Sequence, residues 1–461
     1  MRLKLLTVAL AVIPFTGYGK DLLDAYQEAR ANDPVLSQSD ATRLSVSESA
    51  SQARALLLPQ VNGTVSLNQV SGNGPRPTFN AVSGRYDGPL FDSGYVRSHN
   101  VSVGVNQFMF DLSKWANLSA AKSQAHSQDA TYQADLQGLY MRVTAAYFGV
   151  LTSADQLAFA KANEEALRQA YEQADQRFKV GLSAVTNMYR AKSKHEQAKA
   201  QTIQAESALN DAKEALSQIT GKPTGDLKKL REDLPMDPPS PADPNAWVQR
   251  ALKNNPAIAT QRFNLEAAEH HIRSTRARHL PTASASVTRG KFSAWAEHRN
   301  SAAAAAVATN AATGSGVIGR GGTKASVTLN IPIFTGGATQ SQVRQSIYNR
   351  DSAQDALEIQ RRQVTRDALN FYRTSVAGIS QVEAAKASVN ASQKALEATR
   401  AGFGVGTQTL LNVLNAIQTL ARAQSAYSQS RHGFVLNKLQ LKQIAGTVDM
   451  KDIEEINALL K

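Results

Sequence analysis

The sequence predicts a mainly α-helical chain with a small β part, laid out as two copies of one unit. Three observations carry this. Matched residues recur at a nearly constant spacing, short alternating runs appear twice in each half, and long proline-free stretches follow each pair of runs.

Asn32-Asp33-Pro34 matches Asn254-Asn255-Pro256, and Leu58-Pro59 matches Leu280-Pro281. Further on, Phe110 matches Phe334, Phe178 matches Phe403, and Val180-Gly181 matches Val405-Gly406. Asn187 pairs with Asn412, and Gly221 with Gly446. The offset drifts only from about 222 to about 225 positions, which marks a duplication.

Each copy opens on a helix, over 35–58 and 257–280, that a leucine-proline pair stops. An alternating run follows: Val61, Gly63, Val65 and Leu67 in copy one, Ala283, Ala285 and Val287 in copy two. Strict alternation predicts a half-exposed strand. A second run closes each hairpin, from Val101 to Met109 and from Ala325 to Ile333. The intervening 71–97 and 291–322 are rich in glycine and polar residues and read as loops, so the hairpins span 61–110 and 283–334.

No proline occurs between 111 and 222, or after 332. Leu136, Tyr140, Val143, Tyr147, Val150, Ala154 and Leu157 alternate steps of four and three, the seam of a coiled coil. Val180-Gly181-Leu182-Ser183 and Val405-Gly406-Thr407 interrupt the helices at matched places, and the serine or threonine is expected to cap the next helix. Each copy therefore has one very long helix, about 112–179 and 337–402, and a shorter one, about 184–219 and 408–445. At ~1.5 Å per residue the long helix runs roughly 100 Å, and the two shorter helices of a copy, end to end, run roughly 90 Å. The reading is a long antiparallel helical coiled-coil shaft plus four β-strands per chain.

The expected organisation is a leader over 1–19, a first repeat over 20–220, a linker over 221–245, a second repeat over 246–446 and a C-terminal tail over 447–461. Arg2 and Lys4, the apolar stretch Leu5 to Phe15, and small residues before Lys20 give the leader the form of an export signal. The linker holds six of the fifteen prolines, which argues against regular structure there.

The 461 residues include no cysteine, which excludes disulfides and thiolate metal sites. The formal charge is +13, but no basic run of five or six residues accompanies it, so nucleic acid is not expected. His270, His271 and His279 lack partners at metal-ligand spacing. Gly314-Ser315-Gly316-Val317-Ile318-Gly319 fits a dinucleotide fingerprint in letters, yet it precedes a strand and not a helix. No nucleophile elbow or phosphate loop appears. No enzyme activity, cofactor or metal is expected. No run of 18 apolar residues follows the leader, so no transmembrane helix is expected, and a membrane role would need a β-barrel. Tyr86, Tyr95 and Trp115 suit an interfacial belt or core packing equally.

Four strands with free edges do not close, and a membrane barrel needs at least eight. Association follows: two chains give eight strands, three give twelve. The run Val405-Gly406-Thr407-Gln408-Thr409-Leu410-Leu411-Asn412-Val413-Leu414-Asn415-Ala416 resembles the signature of the TolC family of outer-membrane channels. Val180-Gly181-Leu182 with Ala184-Val185-Thr186-Asn187 resembles its first-repeat counterpart, and the resemblance covers essentially the whole mature chain.

The resemblance implies a homotrimer. It would form a twelve-stranded β-barrel in the lipid of the bacterial outer membrane, continued by a periplasmic α-helical tunnel. The function implied is a passive exit duct of a tripartite efflux pump or type I secretion system. Its partners would be a periplasmic adaptor (membrane fusion) protein and an inner-membrane ABC or proton-driven transporter. By the same resemblance Asn412 and Asn415 stand at the pore constriction, where the family often has acidic rings. Thr186, Asn187, Phe403 and Gln408 stand at the periplasmic gate, and Gly181 and Gly406 at the helix tips beside which the adaptor docks. Asn187, Phe403 and Gln408 replace the acidic, tyrosine and arginine partners of the family, so a charge-assisted latch is not expected at those positions. A periplasmic coiled-coil structural or adaptor protein, and an autonomous porin, are the alternatives.

Overall fold

A computed structural model describes residues 19–80, 82, 85–298 and 317–461. The leader residues 1–18, the alanine run 302–306 and the start of the dinucleotide-like run, 314–316, lie outside the described residues, as do the side chains of Tyr86 and Tyr95.

Helices α1 (Leu22–Asn32) and α2 (Pro34–Ala55) lead into strands β1 (Gln60–Asn80) and β2 (Arg85–Phe110). Helices α3 (Leu112–Lys179) and α4 (Val185–Thr220) complete the first half. The second half repeats the order: α5 (Pro244–Asn254), α6 (Pro256–Ala277), β3 (Thr282–His298), β4 (Val317–Asn330), α7 (Ala338–Gly404) and α8 (Leu410–Ile444). A short α9 (Met450–Asn457) ends the chain.

The short helices α1, α5 and α9 were not expected from periodicity, but their starts are written in the sequence. Asp21 and Asp449 each form a capping box with an aspartate three residues on. Asp243 caps α5 ahead of a proline at its first position. Helices α2 and α6 stop three residues before the expected Leu58 and Leu280. Their last turns tighten, with Leu58 N–H donating to Ala55 O and Leu280 N–H to Ala277 O, both at 3.0 Å. The following prolines disfavour the helical conformation in the residues before them.

The four strands form one antiparallel sheet in the order β1-β2-β3-β4. The strands run further than the alternation implied. Most of 71–97 pairs as strand, with Val70 opposite Val96 and Asn80 opposite Arg85, and only a register shift between Arg76 and Thr78 marks the prolines. The expected loop is corrected because main-chain ladders need no apolar pattern when neither face has to be buried. Likewise β3 reaches His298 and β4 starts at Val317, but β4 ends at Asn330, short of the expected Ile331 and Ile333, where Pro332 has no N–H to give the ladder.

Two compact units divide the chain. One holds 45–125 and 263–354, and with them the sheet. Val61, Val65, Val101, Val103, Val105, Val287 and Val327 share one sheet face by register and are all exposed. A contiguous exposed apolar face of this kind marks a membrane or partner surface.

The other unit holds residues up to 44, 126–262 and 355–461. Its main core packs Leu22 and Tyr26 of α1 against Leu139, Val143, Tyr147 and Phe148 of α3, Leu439 of α8 and Ile453 of α9. Tyr26 and Tyr140 stack at 4.7 Å. The predicted seam is buried from Tyr140 to Val150, and Leu139, Phe148 and Leu151 widen it beyond two positions per heptad.

The duplicated Asn-Asp-Pro and Asn-Asn-Pro turns do matched work in this unit. Asp33 is buried, pairs with Arg142 at 2.6 Å and accepts the Leu36 N–H at 3.0 Å. Asn255 accepts the Ala257 N–H and donates to Ile444 O, each at 2.9 Å.

Candidate functional site

The sequence-predicted site residues all lie at the turns that follow α3 and α7. Both turns end their helix alike. Leu182 N–H donates to Arg177 O at 2.8 Å and Gly181 N–H to Phe178 O at 2.9 Å. In the second turn Thr407 N–H donates to Gly402 O at 2.8 Å and Gly406 N–H to Phe403 O at 3.3 Å. These are Schellman closures, and they need a left-handed residue: Gly181 has φ 74° and Gly406 φ 83°.

The next helices start differently. Thr409, and not the expected Thr407, caps α8 by accepting the Asn412 N–H at 3.3 Å. At the first turn Ala184 holds the cap position of α4 with no side-chain bond. Ser183, expected to cap, instead accepts from Asn187 Nδ2 at 3.2 Å. Thr409→Ala is therefore expected to cost about 1 kcal/mol of local stability. Amide exchange at Asn412 should speed up by roughly fivefold, with the first turn of α4 unchanged.

Asn412 and Asn415 are both exposed, on a side of α8 away from the buried Val413, Leu414 and Ile417. The structure brings Asn412 and Gln408 together: Asn412 Nδ2 donates to Gln408 Oε1 at 2.7 Å. Gly402 leaves room for this arrangement, since a Cβ there would lie 2.7 Å from Gln408 Cγ. Thr186 and Asn187 are not brought onto Gln408 or Asn412 by any hydrogen bond among the described residues, and Thr186 is exposed.

Phe403 packs against a core of Leu167, Ala174, Ala191, Leu396, Leu410 and Leu414, which joins α3, α4, α7 and α8. The Arg177 guanidinium lies over its ring, 4.5 Å from the centroid. Sequence reasoning missed Arg177. No sequence signal marks it, since the matched position of the second copy is Gly402. A cation–π contact thus stands beside residues where a charge pair was not expected. Further along α3, Arg168 hydrogen bonds draw the Glu165 carboxyl down to about 2.

The family model described as "Outer membrane efflux protein" matches residues 25–222 and again 247–447. The chain belongs to the outer membrane efflux protein family. Outer membrane protein TolC of Escherichia coli (strain K12) is 30% identical, over 99% of this chain and 88% of that protein. The alkaline protease secretion protein AprF of Pseudomonas aeruginosa is 25% identical, over 95% of this chain and 86% of its own length. The crystal structure of the outer membrane protein VceC from Vibrio cholerae superimposes with a TM-score of 0.72 at 16% identity, covering 92% of this chain and 96% of that one. This efflux-family protein is an outer-membrane channel for efflux or secretion, in a family of transport channels and not of enzymes.

Proposed function

We propose that three copies of the chain close a twelve-stranded barrel that continues inward as a tunnel of helices. The carrying observation is the open four-stranded sheet, whose β1 and β4 edges are unpaired among the described residues and whose apolar face is exposed. Neither an eight-stranded dimer nor a lone hairpin pair suits the family as well as the trimer does. Native mass spectrometry of the detergent-purified channel tests this: three chain masses are expected, and one or two would overturn it.

The duct itself is passive and carries out no chemistry. An inner-membrane ABC or proton-driven transporter supplies the energy, and a periplasmic adaptor links the two. The similarity to AprF, whose name speaks of protease secretion, supports a polypeptide cargo, and the family's description as efflux proteins leaves small molecules equally open. Residues 1–19 serve as the export leader, 20–220 and 246–446 as the two repeats, 221–245 as the linker and 447–461 as the periplasmic tail.

Asn412 and Asn415 line the constriction as neutral polar rings. Thr186, Asn187, Phe403 and Gln408 hold the entrance by local contacts, among them Arg177 on Phe403 and Asn412 on Gln408. Gly181 and Gly406 shape the tips that adaptor hairpins meet. Replacing both asparagines, Asn412→Asp with Asn415→Asp, is expected to raise cation preference by on the order of tenfold and to introduce block by divalent cations. Unchanged reversal potentials in a planar bilayer would remove these residues from the constriction.

A further inference from the structure

The apolar sheet face carries two cations that conduction does not explain. Arg289 lies opposite Val103, and Lys291 opposite Val101. Register therefore places both on the same face as Val61, Val65 and Val105. Both are exposed, and neither joins an ion pair among the described residues. The next two positions of β2 on this face are His99 and Arg97. Arg97 Nε donates to Gln69 Oε1 at 2.8 Å, which lays its side chain along the sheet.

Charged residues on a lipid face are costly near the middle of the bilayer and cheap at its edges. The position of these four is therefore informative. The exposed apolar band starts around Met109 and Phe110 of β2 and Leu329 of β4. A membrane strand crosses the hydrocarbon in about 9–11 residues. Counted from Phe110, Val101 and its partner Lys291 fall at the far edge of that span. Arg97 and His99 lie beyond it, and Arg289 lies one alternate residue inside, within reach of the edge by extending its stem. Neighbouring strands are ~4.8 Å apart and alternate residues ~6.8 Å apart, so the four side chains fall within about 20 Å along the paired strands β2 and β3.

We propose that Arg289 and Lys291, flanked by Arg97 and His99, bind the phosphate groups of a phosphorylated glycolipid in the outer leaflet. The inference rests on the reading that the hairpins span the outer membrane with this face toward lipid. Charge complementarity selects the occupant: a cationic patch bordering an apolar band fits an anionic headgroup above acyl chains. The guanidinium of Arg289 offers the planar fork that phosphate oxygens accept.

The test titrates the purified channel in detergent with diphosphorylated lipid A and with lipid A stripped of its phosphates, counting bound lipid by native mass spectrometry. The wild-type channel is expected to bind the phosphorylated form at least fivefold more tightly. The Arg289→Gln/Lys291→Gln variant should lose that preference, while Lys324→Gln, which register places on the opposite face across from Thr288, should keep it. Equal binding of the two lipids by the wild type, or a preference retained by the double variant, overturns the proposal. So does full displacement of lipid by an equal concentration of inorganic phosphate, which would make this a site for the free ion. Conductance in bilayers free of lipid A reports separately on the membrane reading, since a wild-type chain that does not insert there fails that reading and not the lipid site. Should the double variant not insert, the wild-type comparison of the two lipids still decides.

Discussion

Gly446→Ala is expected to destabilise the protein by about 3 kcal/mol, more than any other single methyl addition among the described glycines. Gly446 follows α8 in the left-handed conformation, φ 68°. Its N–H donates to Gln443 O at 2.9 Å, and the next N–H, of Thr447, to Lys442 O at 3.0 Å. A Cβ there would sit 2.4 Å from Asn254 O and 2.6 Å from Asn254 C. Those atoms are backbone, and the Asn255 amide bonded to Ile444 O holds them in place. The chain must therefore shift, in addition to the cost of placing a side chain at positive φ. Gly221 is the matched residue, φ 71°, but its Cβ would meet the Asn32 side chain at 2.9 Å, which has more freedom to yield. Gly221→Ala should cost about half as much. Thermal unfolding of the two variants beside the wild type checks the order. Equal midpoints for Gly446→Ala and wild type would refute the packing argument.

Acidification from pH 6.5 toward 4 is expected to remove about 3 kcal/mol of stability through His432 alone. Burial pushes the His432 imidazole down to about 4, despite the nearby Asp155 carboxylate, and the Arg431 charge adds to the effect. The ring lies 5.4 Å from Phe148, and its Nδ1 lies 2.8 Å from Thr152 Oγ1. Asp155 is engaged by the Ser428 hydroxyl at 2.7 Å. The unfolded chain takes up its proton near 6.5 while the folded one resists until about 4. Stability from this group is thus complete above about 6.5, falls with pH through that window, and is fully lost below about 4. His432→Gln should flatten the profile between these limits. A wild-type unfolding midpoint that holds steady from pH 7 to pH 4.5 would show that the ring is not held neutral.

Much of this is legible in the sequence itself. The duplication, the two long helices and the four strands follow from spacing, proline absence and alternation, because these signals extend over many residues and agree with one another. The ends of elements were less legible. Strands β1 and β2 run on through polar residues where the ladder, and not the side chains, holds the pairing. The short helices are too brief for periodicity, although Asp21, Asp243 and Asp449 announce their starts. At the candidate site the positions of Gly181 and Gly406 were readable, since only a left-handed residue closes such a turn. The link between Gln408 and Asn412 and the placing of Arg177 over Phe403 were not. They depend on rotamers and on the approach of α3 to α7, which one sequence does not encode locally.

Each copy of the repeat shuts upon itself, Gly221 seated on Asn32 and Gly446 on Asn254. The stretch between the copies adds main-chain ties at Lys229 and Arg231, which bond to Lys461 and Leu459. From Pro241 onward it is held again, by Trp247 Nε1 and Tyr372 Oη on the carbonyls of Pro241 and Ala242. Asp237 and Pro238, between these anchors, are exposed. The polypeptide is therefore severable there. Two separately exported fragments, cut at that point, would retain every closure of each half and the strand-like seam that joins them.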